Sequence, residues 1–386
     1  MFIVMMITTV SSRGGRRRNT GLKCEQFFDP QARAFSVGNG ATEDRGVVER
    51  GYGMPSGAML GNHVFMYAGA FGIARANGMA LRHRPFPVDK VNIFEVFQIP
   101  PAFTTSSSLA GQKLQNVVLS EPAPLAFDPQ CLSLRDGGAT NGGGIVYNIQ
   151  GYRQSYKYFN SGSTAAALRH TLRFRNETLV QYAKSWLGSV NTSATGDDRL
   201  STLRLGKAVN NAAVQAASYD KGAGSRKSSL AAAAASLRRQ VVGVHVRSGM
   251  ARGGAFGGCL PPEDYYLRAM NYYRRRYSNV VFVYAAEPSG MAWFRDAVLS
   301  KDSFKGYDAF PIATTDPVET LAVLSHCDAS VFSFGTYGWI GAWLADGPVT
   351  YSRHLLNENG GLKHCDIVTA SGVGVKDHIP LEWIPV

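Results

Sequence analysis

His245 and Arg247 stand two residues apart at the end of residues 241–247, a run of almost purely β-forming side chains that gives way to a glycine-rich segment. An imidazole and a guanidinium are thereby expected at the carboxyl end of a buried strand, where open parallel sheets bind anionic ligands. Arginine keeps its charge at any relevant pH and presents a planar fork of donors matched to phosphate oxygens. A nucleotide or sugar-nucleotide pyrophosphate suits the pair. The second chemically loaded stretch is Ser333-Phe334-Gly335-Thr336-Tyr337-Gly338. A strand that turns through small residues into a helix aims several backbone N–H groups at one point, and phosphate binds there without a lysine. Taken alone, the stretch reads first as an ordinary strand-to-helix turn; its place on the same expected sheet edge as Arg247 adds weight to the phosphate reading.

The elements that must position these residues follow from pattern. Val280-Val281-Phe282-Val283-Tyr284-Ala285 is a short continuous apolar run of the kind buried on both faces of a parallel sheet. Met291, Phe294 and Val298 then recur at helical spacing. Asp316-Pro317-Val318-Glu319 opens the next helix, with Asp316 as cap, Pro317 at the first helical position and Glu319 closing a capping box. A strand over 329–333 and a helix through Trp339, Ala342, Trp343 and Leu344 complete the series. Strand, helix, strand, helix predicts a parallel sheet with right-handed crossovers. The earlier half is less regular. Leu168, Leu172, Leu179, Tyr182 and Trp186 predict one long helical stretch, and the aromatics on it read as core before they read as a sugar platform. Tyr152 and Tyr156 suit either role.

The ordered set Gly61-Asn62, His245-x-Arg247, Leu324-Ser325-His326-Cys327 and Gly335-Thr336-Tyr337-Gly338, followed by Ala342-Trp343-Leu344, resembles the α1,2-fucosyltransferases of glycosyltransferase family 11. The likeness runs through residues 55–78, 151–188 and 241–351. The family's first block reads Gly-Arg-Leu-Gly-Asn-Gln ahead of a helix; here Ala58-Met59-Leu60-Gly61-Asn62-His63 leads on to Tyr67, Ala68, Ile73 and Ala74. The family's donor motif is His-x-Arg-Arg-x-Asp, and this chain departs from it, with Ser248 for the second arginine and Met250 for the aspartate. Met59 also stands where the first block has arginine.

The resemblance implies an α/β, GT-B-like fold of two Rossmann-like domains, the second with a parallel sheet. It implies an inverting glycosyltransferase, a galactoside 2-α-L-fucosyltransferase that moves fucose from GDP-fucose to the 2-hydroxyl of a terminal galactose on a glycan. In that reading Arg247 and His245 are catalytic, and Arg247, Ser333, Gly335, Thr336, Tyr337 and Asp316 bind the donor, with Asp316 offering its carboxylate to guanine. Asn62 and His63 face the acceptor-side cleft. No cofactor and no metal are expected, since no Asp-x-Asp pair or His/Cys cluster stands out. The lost motif residues support an alternative, a catalytically degenerate module that binds a GDP-sugar or glycan.

The expected organisation is a basic segment over 1–48, possessing the features of a truncated signal anchor, an acceptor-side domain over 49–188, a flexible Ala/Gly/Ser-rich basic insertion over 189–238, and a GDP-fucose-binding domain over 239–386. The net charge is +12, of which residues 1–50 supply +3 and residues 193–240 supply +5. The charge thus concentrates outside the two domains. A basic nucleic-acid-binding protein is the weakest alternative, because no zinc-finger, RNA-recognition or helix-turn-helix pattern is present. The five cysteines Cys24, Cys131, Cys259, Cys327 and Cys365 show no CxxC spacing. Residues 1–10 are largely apolar but fall short of the roughly 20 residues a spanning helix needs. The resemblance implies a Golgi or other secretory-pathway membrane, and the sequons at Asn176 and Asn191 permit that route.

Overall fold

A computed structural model describes residues 42–50, 59–83, 92–99, 115–122, 125–134, 145–193, 239–247, 261–302, 308–353 and 375–386. The basic segment 1–41, residues 194–238 of the expected insertion, and the stretch 248–260 that holds Ser248, Met250 and Arg252 lie outside the described residues.

Two parallel sheets carry the architecture, giving the expected GT-B-like α/β fold. The first contains β1 (Thr42–Arg50), β2 (Met79–His83), β3 (Gln115–Leu119) and β4 (Ile145–Ile149) in the order β2-β1-β4-β3. The second contains β5 (Gln240–Val246), β6 (Val280–Ala286), β7 (Ala309–Pro311), β8 (Ala329–Phe332), β9 (Val349–Tyr351) and β10 (Ile384–Pro385) in the order β10-β9-β8-β5-β6-β7. Every described strand pairing in both sheets is parallel. The expected domain edge at 48/49 falls inside β1.

The helices, which begin with α1 (Leu60–Ala76) and the short α2 (Ile93–Val96), explain the rest of the sequence pattern. The expected long helical stretch is two helices, α3 (Gly162–Thr171) and α4 (Glu177–Ser193). The break comes where Phe174 pairs with Phe97 as a bridge and Asn176 accepts from the Thr178 and Leu179 N–H groups to start a new helix. α4 runs through the expected edge at 188/189. After β5 come α5 (Glu263–Arg276) and α6 (Pro288–Trp293), the latter continuing as a π-helical turn at Phe294–Leu299. That change of winding modifies the helical spacing expected for Met291, Phe294 and Val298. α7 (Pro317–Ser325) begins at its Asp316 cap, and α8 (Thr336–Ala345) follows β8. A short α9 (Val375–His378) precedes β10.

Between these sheets lies the helix pair that matters most for the site. α1 (Leu60–Ala76) buries residues all round, including Leu60, His63, Phe65, Tyr67, Ala70 and Ile73, as a helix enclosed on every side must. It lies against α8, with the Phe65 and Trp339 rings 4.6 Å apart. One hydrophobic core accordingly continues from Val48 and Val117 of the first sheet to Leu324, Trp339 and Trp383 of the second half. A separate core under α5 joins Val242, Tyr265, Tyr273 and Phe282.

Candidate functional site

β5 and β8 are paired in register, with His245 opposite Phe332, so the ends of these two strands deliver His245, Arg247 and Ser333 to one edge. The buried Ser333 hydroxyl ties the edge together: its Oγ accepts the Arg247 N–H at 3.2 Å and lies 3.4 Å from His245 Nδ1. The Arg247 side chain is half-buried and its guanidinium has no hydrogen-bond or ion-pair partner among the described residues. An arginine held by its backbone with its fork unengaged is equipped to receive an anion.

His245, expected to be catalytic, is buried at this edge. Its ring is buried beneath the first turn of α8, where a Cβ on Gly338 would come within 2.2 Å of Nδ1. It also lies 5.5 Å from the Tyr337 ring. Burial, with the positive Arg247 beside it, lowers its pKa to about 4. The imidazole is therefore neutral at neutral pH and supports the loop from below.

The turn itself starts α8 in an unusual way. Gly335 caps the helix with φ +86°, in the region that favours glycine, and no side chain caps the helix end. α1 likewise begins without a side-chain cap. The two N-termini meet: a Cβ on Gly61 would lie 2.4 Å from the Tyr337 backbone N and 2.7 Å from the Thr336 carbonyl carbon. Only glycine permits that approach. The positive ends of both helix dipoles consequently converge beside Arg247. Thr336 Oγ donates across the seam to Asn62 Oδ1 at 2.7 Å. Of the expected cleft pair, Asn62 is half-buried at this seam, whereas the His63 ring is buried in the packed body of α1.

Asp316 serves its helix. Its Oδ1 accepts from the Val318 and Glu319 N–H groups, both at 2.8 Å. The expected capping box is relayed through a third residue, since the Thr314 hydroxyl donates to Glu319 and accepts from the Asp316 N–H. Tyr337 connects this cap to the donor-side turn by donating to Pro317 O at 2.6 Å, and burial raises its phenol pKa.

Two residues at the seam escaped sequence reading. Gln154 donates to Asn62 Oδ1 at 3.0 Å, and His378 Nδ1 lies 2.7 Å from Gln154 O. The only signal was Gln154's adjacency to Gly151-Tyr152-Arg153; a histidine 224 positions away carries none. Of the candidate sugar platforms, Tyr156 is buried in the core and Tyr182 is 37% exposed on α4. Cys131 is disulfide-bonded, while Cys327, one residue past the α7 C-cap, is a free thiol whose pKa burial pushes up.

A model of glycosyl transferase family 11 matches residues 226–358, the segment that holds β5, β8, Arg247 and the Ser333 turn. Galactoside alpha-(1,2)-fucosyltransferase 2 of Gorilla gorilla gorilla is 30% identical over 136 residues, covering 32% of this chain and 36% of the relative. The Rattus norvegicus protein of that name is 31% identical over 134 residues, covering 32% and 35%. Galactoside alpha-(1,2)-fucosyltransferase 1 of Leontocebus fuscicollis is 31% identical over 118 residues, covering 29% and 31%. The chain thus spans about a third of the length of the curated relatives it matches. Among solved structures, POFUT1 in complex with GDP-fucose covers 80% of this chain and 99% of its own, with TM-score 0.45 and 12% identity.

Proposed function

We propose that this family 11 chain transfers fucose from GDP-fucose to the 2-hydroxyl of a terminal galactose, inverting the anomeric configuration. The observation that carries the reading is Arg247, held by its N–H to Ser333 with a guanidinium that no described residue engages, inside the segment that matches the family 11 model. The galactose oxygen attacks the anomeric carbon, the bond from that carbon to the β-phosphate oxygen breaks, and GDP leaves with the bonding pair. Arg247 neutralises the charge that develops on the β-phosphate, an electrostatic contribution that grows in a dry cleft. The α8 N-terminus holds the pyrophosphate through Gly335, Thr336 and Tyr337. Asp316, with Oδ1 engaged in its cap, offers Oδ2 to the guanine donors. The proton of the galactose hydroxyl goes to the departing phosphate or to a first-domain base. We expect no divalent metal to be needed, so turnover persists in EDTA.

The test is direct. Calorimetry with GDP should show Arg247→Ala weakening affinity by about 2 kcal/mol, the cost of a lost charge-assisted phosphate contact. Equal affinity in parent and variant rejects the reading. A second reading, a binding module without turnover, is favoured by Ser248 and Met250 at two motif positions. Incubation with GDP-fucose and a galactose-terminated acceptor separates them, because only the enzyme releases GDP and makes product. If the two departures impair catalysis, Ser248→Arg with Met250→Asp raises the transfer rate; a brisk parent that collapses on Arg252→Ala argues against that account.

A secretory-pathway location, in the Golgi or another membrane compartment, is part of the proposal. The Cys131 disulfide fits an oxidising compartment. Asn176 is exposed, and its capping bonds use only Oδ1, leaving Nδ2 for a glycan. Among the described residues no helix is long and apolar enough to cross a membrane.

A further inference from the structure

We infer that Gln154 is a positioning residue of the donor site, acting through Asn62; the inference rests on the GDP-binding reading above. The amide of Asn62 has one carbonyl oxygen and two N–H donors. Its Oδ1 accepts from both Thr336 Oγ at 2.7 Å and Gln154 Nε2 at 3.0 Å. With that oxygen engaged twice, Nδ2 points away from both donors, and turning the amide over would set Nδ2 against the Gln154 N–H. Among the described residues no acceptor takes Nδ2. A fixed, unengaged donor at the meeting point of two helix N-termini suits an oxygen acceptor such as a phosphate.

Gln154 is itself held by an unusual turn, which distinguishes a built support from an incidental contact. Gly151 has φ +84° and Arg153 has φ +49°, a left-handed conformation that non-glycine residues adopt at a cost. The cost is met by a fully buried Arg153 guanidinium, which donates to Leu119 O at 2.6 Å, to Tyr158 Oη at 3.1 Å and to Gln150 O at 3.3 Å. The Tyr152 N–H donates to Glu121 Oε2 at 2.8 Å. Next along the chain, Gln154 O receives the His378 ring at 2.7 Å, and Trp339 Nε1 donates to His378 O at 2.8 Å. The strained turn from the first sheet and the C-terminal segment therefore grip Gln154 from both sides and deliver its side chain to Asn62.

The experiment is a double-mutant cycle on GDP affinity, read by calorimetry with thermal melts alongside. Gln154→Met keeps the length but cannot donate, and is expected to weaken GDP binding about tenfold, the scale of one hydrogen bond. Asn62→Ala is expected to weaken it as much or more. In the Asn62→Ala background, Gln154→Met should have no further effect on affinity. Gln154→Glu, which can only accept when ionised, should draw Asn62 Nδ2 toward itself and lose more affinity than Gln154→Met. Equal losses from Gln154→Met in both backgrounds, or no loss in the parent, overturns the positioning role while the Arg247→Ala result still stands for GDP binding. If Gln154→Met fails to fold, Thr336→Val serves in the same cycle beside Gln154→Glu, and additive losses overturn the inference. A parent that binds no GDP removes both readings.

Discussion

In the larger sheet, β5, β6 and β8 are buried along almost their whole length, whereas β3 and β4 of the smaller sheet mix buried and accessible positions. The difference is visible in composition, as a strand covered on both faces reads as a continuous apolar run and a partly covered one does not. The seam between the halves obeys a third rule. It is closed by α1 against α8, two helices brought to backbone contact by one glycine and joined by single polar bonds. The candidate site sits where the fully covered sheet ends and this seam begins.

Acid should affect both regions at once and gives the largest expected effect. His245 under the turn and His378 at the seam are each lowered from 6.5 to about 4 by burial. Between those values the unfolded chain takes up a proton that the folded chain refuses, so stability is intact above pH 6.5 and falls as pH drops toward 4. Each ring accounts for about 3 kcal/mol of that loss. Urea titrations across this range should show a steep decline, and His378→Asn should flatten it; an unchanged slope argues against the buried neutral ring.

The interior of the larger sheet is probed by Arg274, which donates to Asp302 and Asp308 at 2.6–2.9 Å beneath α5. Arg274→Ala leaves a buried carboxylate without that partner and should cost about 3–5 kcal/mol, measured by chemical denaturation. GDP affinity of the folded fraction should be unaltered, since the cluster lies away from the site.

The seam is probed by Gly61→Ala. A methyl group would meet Tyr337 and Thr336 backbone atoms that no side-chain rotation can move. The expected cost is about 3 kcal/mol, and GDP binding should fall with it because α8 shifts. Loss of stability with affinity intact would mean that the helix contact does not organise the site.

Gly335→Ala gives the smallest effect and sharpens the comparison further. No neighbour lies within 4 Å of the added methyl, but φ is +86°, so strain alone should cost about 1 kcal/mol. A loss as large as that of Gly61→Ala would show that crowding, not backbone conformation, controls the turn.

Legibility followed burial. β5, β6, the Asp316 cap and the β8–α8 turn were readable because each is written in adjacent residues. The break between α3 and α4 was not, since it depends on Phe174 pairing with Phe97, 77 positions earlier. The expected edges at 48/49 and 188/189 fall inside β1 and α4 for the same reason: β1 is identified by its partners β2 and β4, and its own composition is polar at both ends. Within the candidate site, Arg247, Ser333 and Thr336 were expected from local pattern, and the fold brings them to one edge. Gln154 and His378 were missed because their partners come from elsewhere in the chain.

Local sequence determined the parallel strand–helix alternation of residues 240–351, the left-handed glycine that starts α8, and the arginine at the end of β5. These depend on hydrophobic runs, caps and side-chain chemistry, all properties of neighbouring residues. Tertiary structure alone decided that His245 is neutral and supporting, that Asn62 presents its amide N–H groups, and that α1 and α8 meet at their positive ends. Each of those depends on desolvation or on a contact across 88 to 276 positions, which no local pattern records.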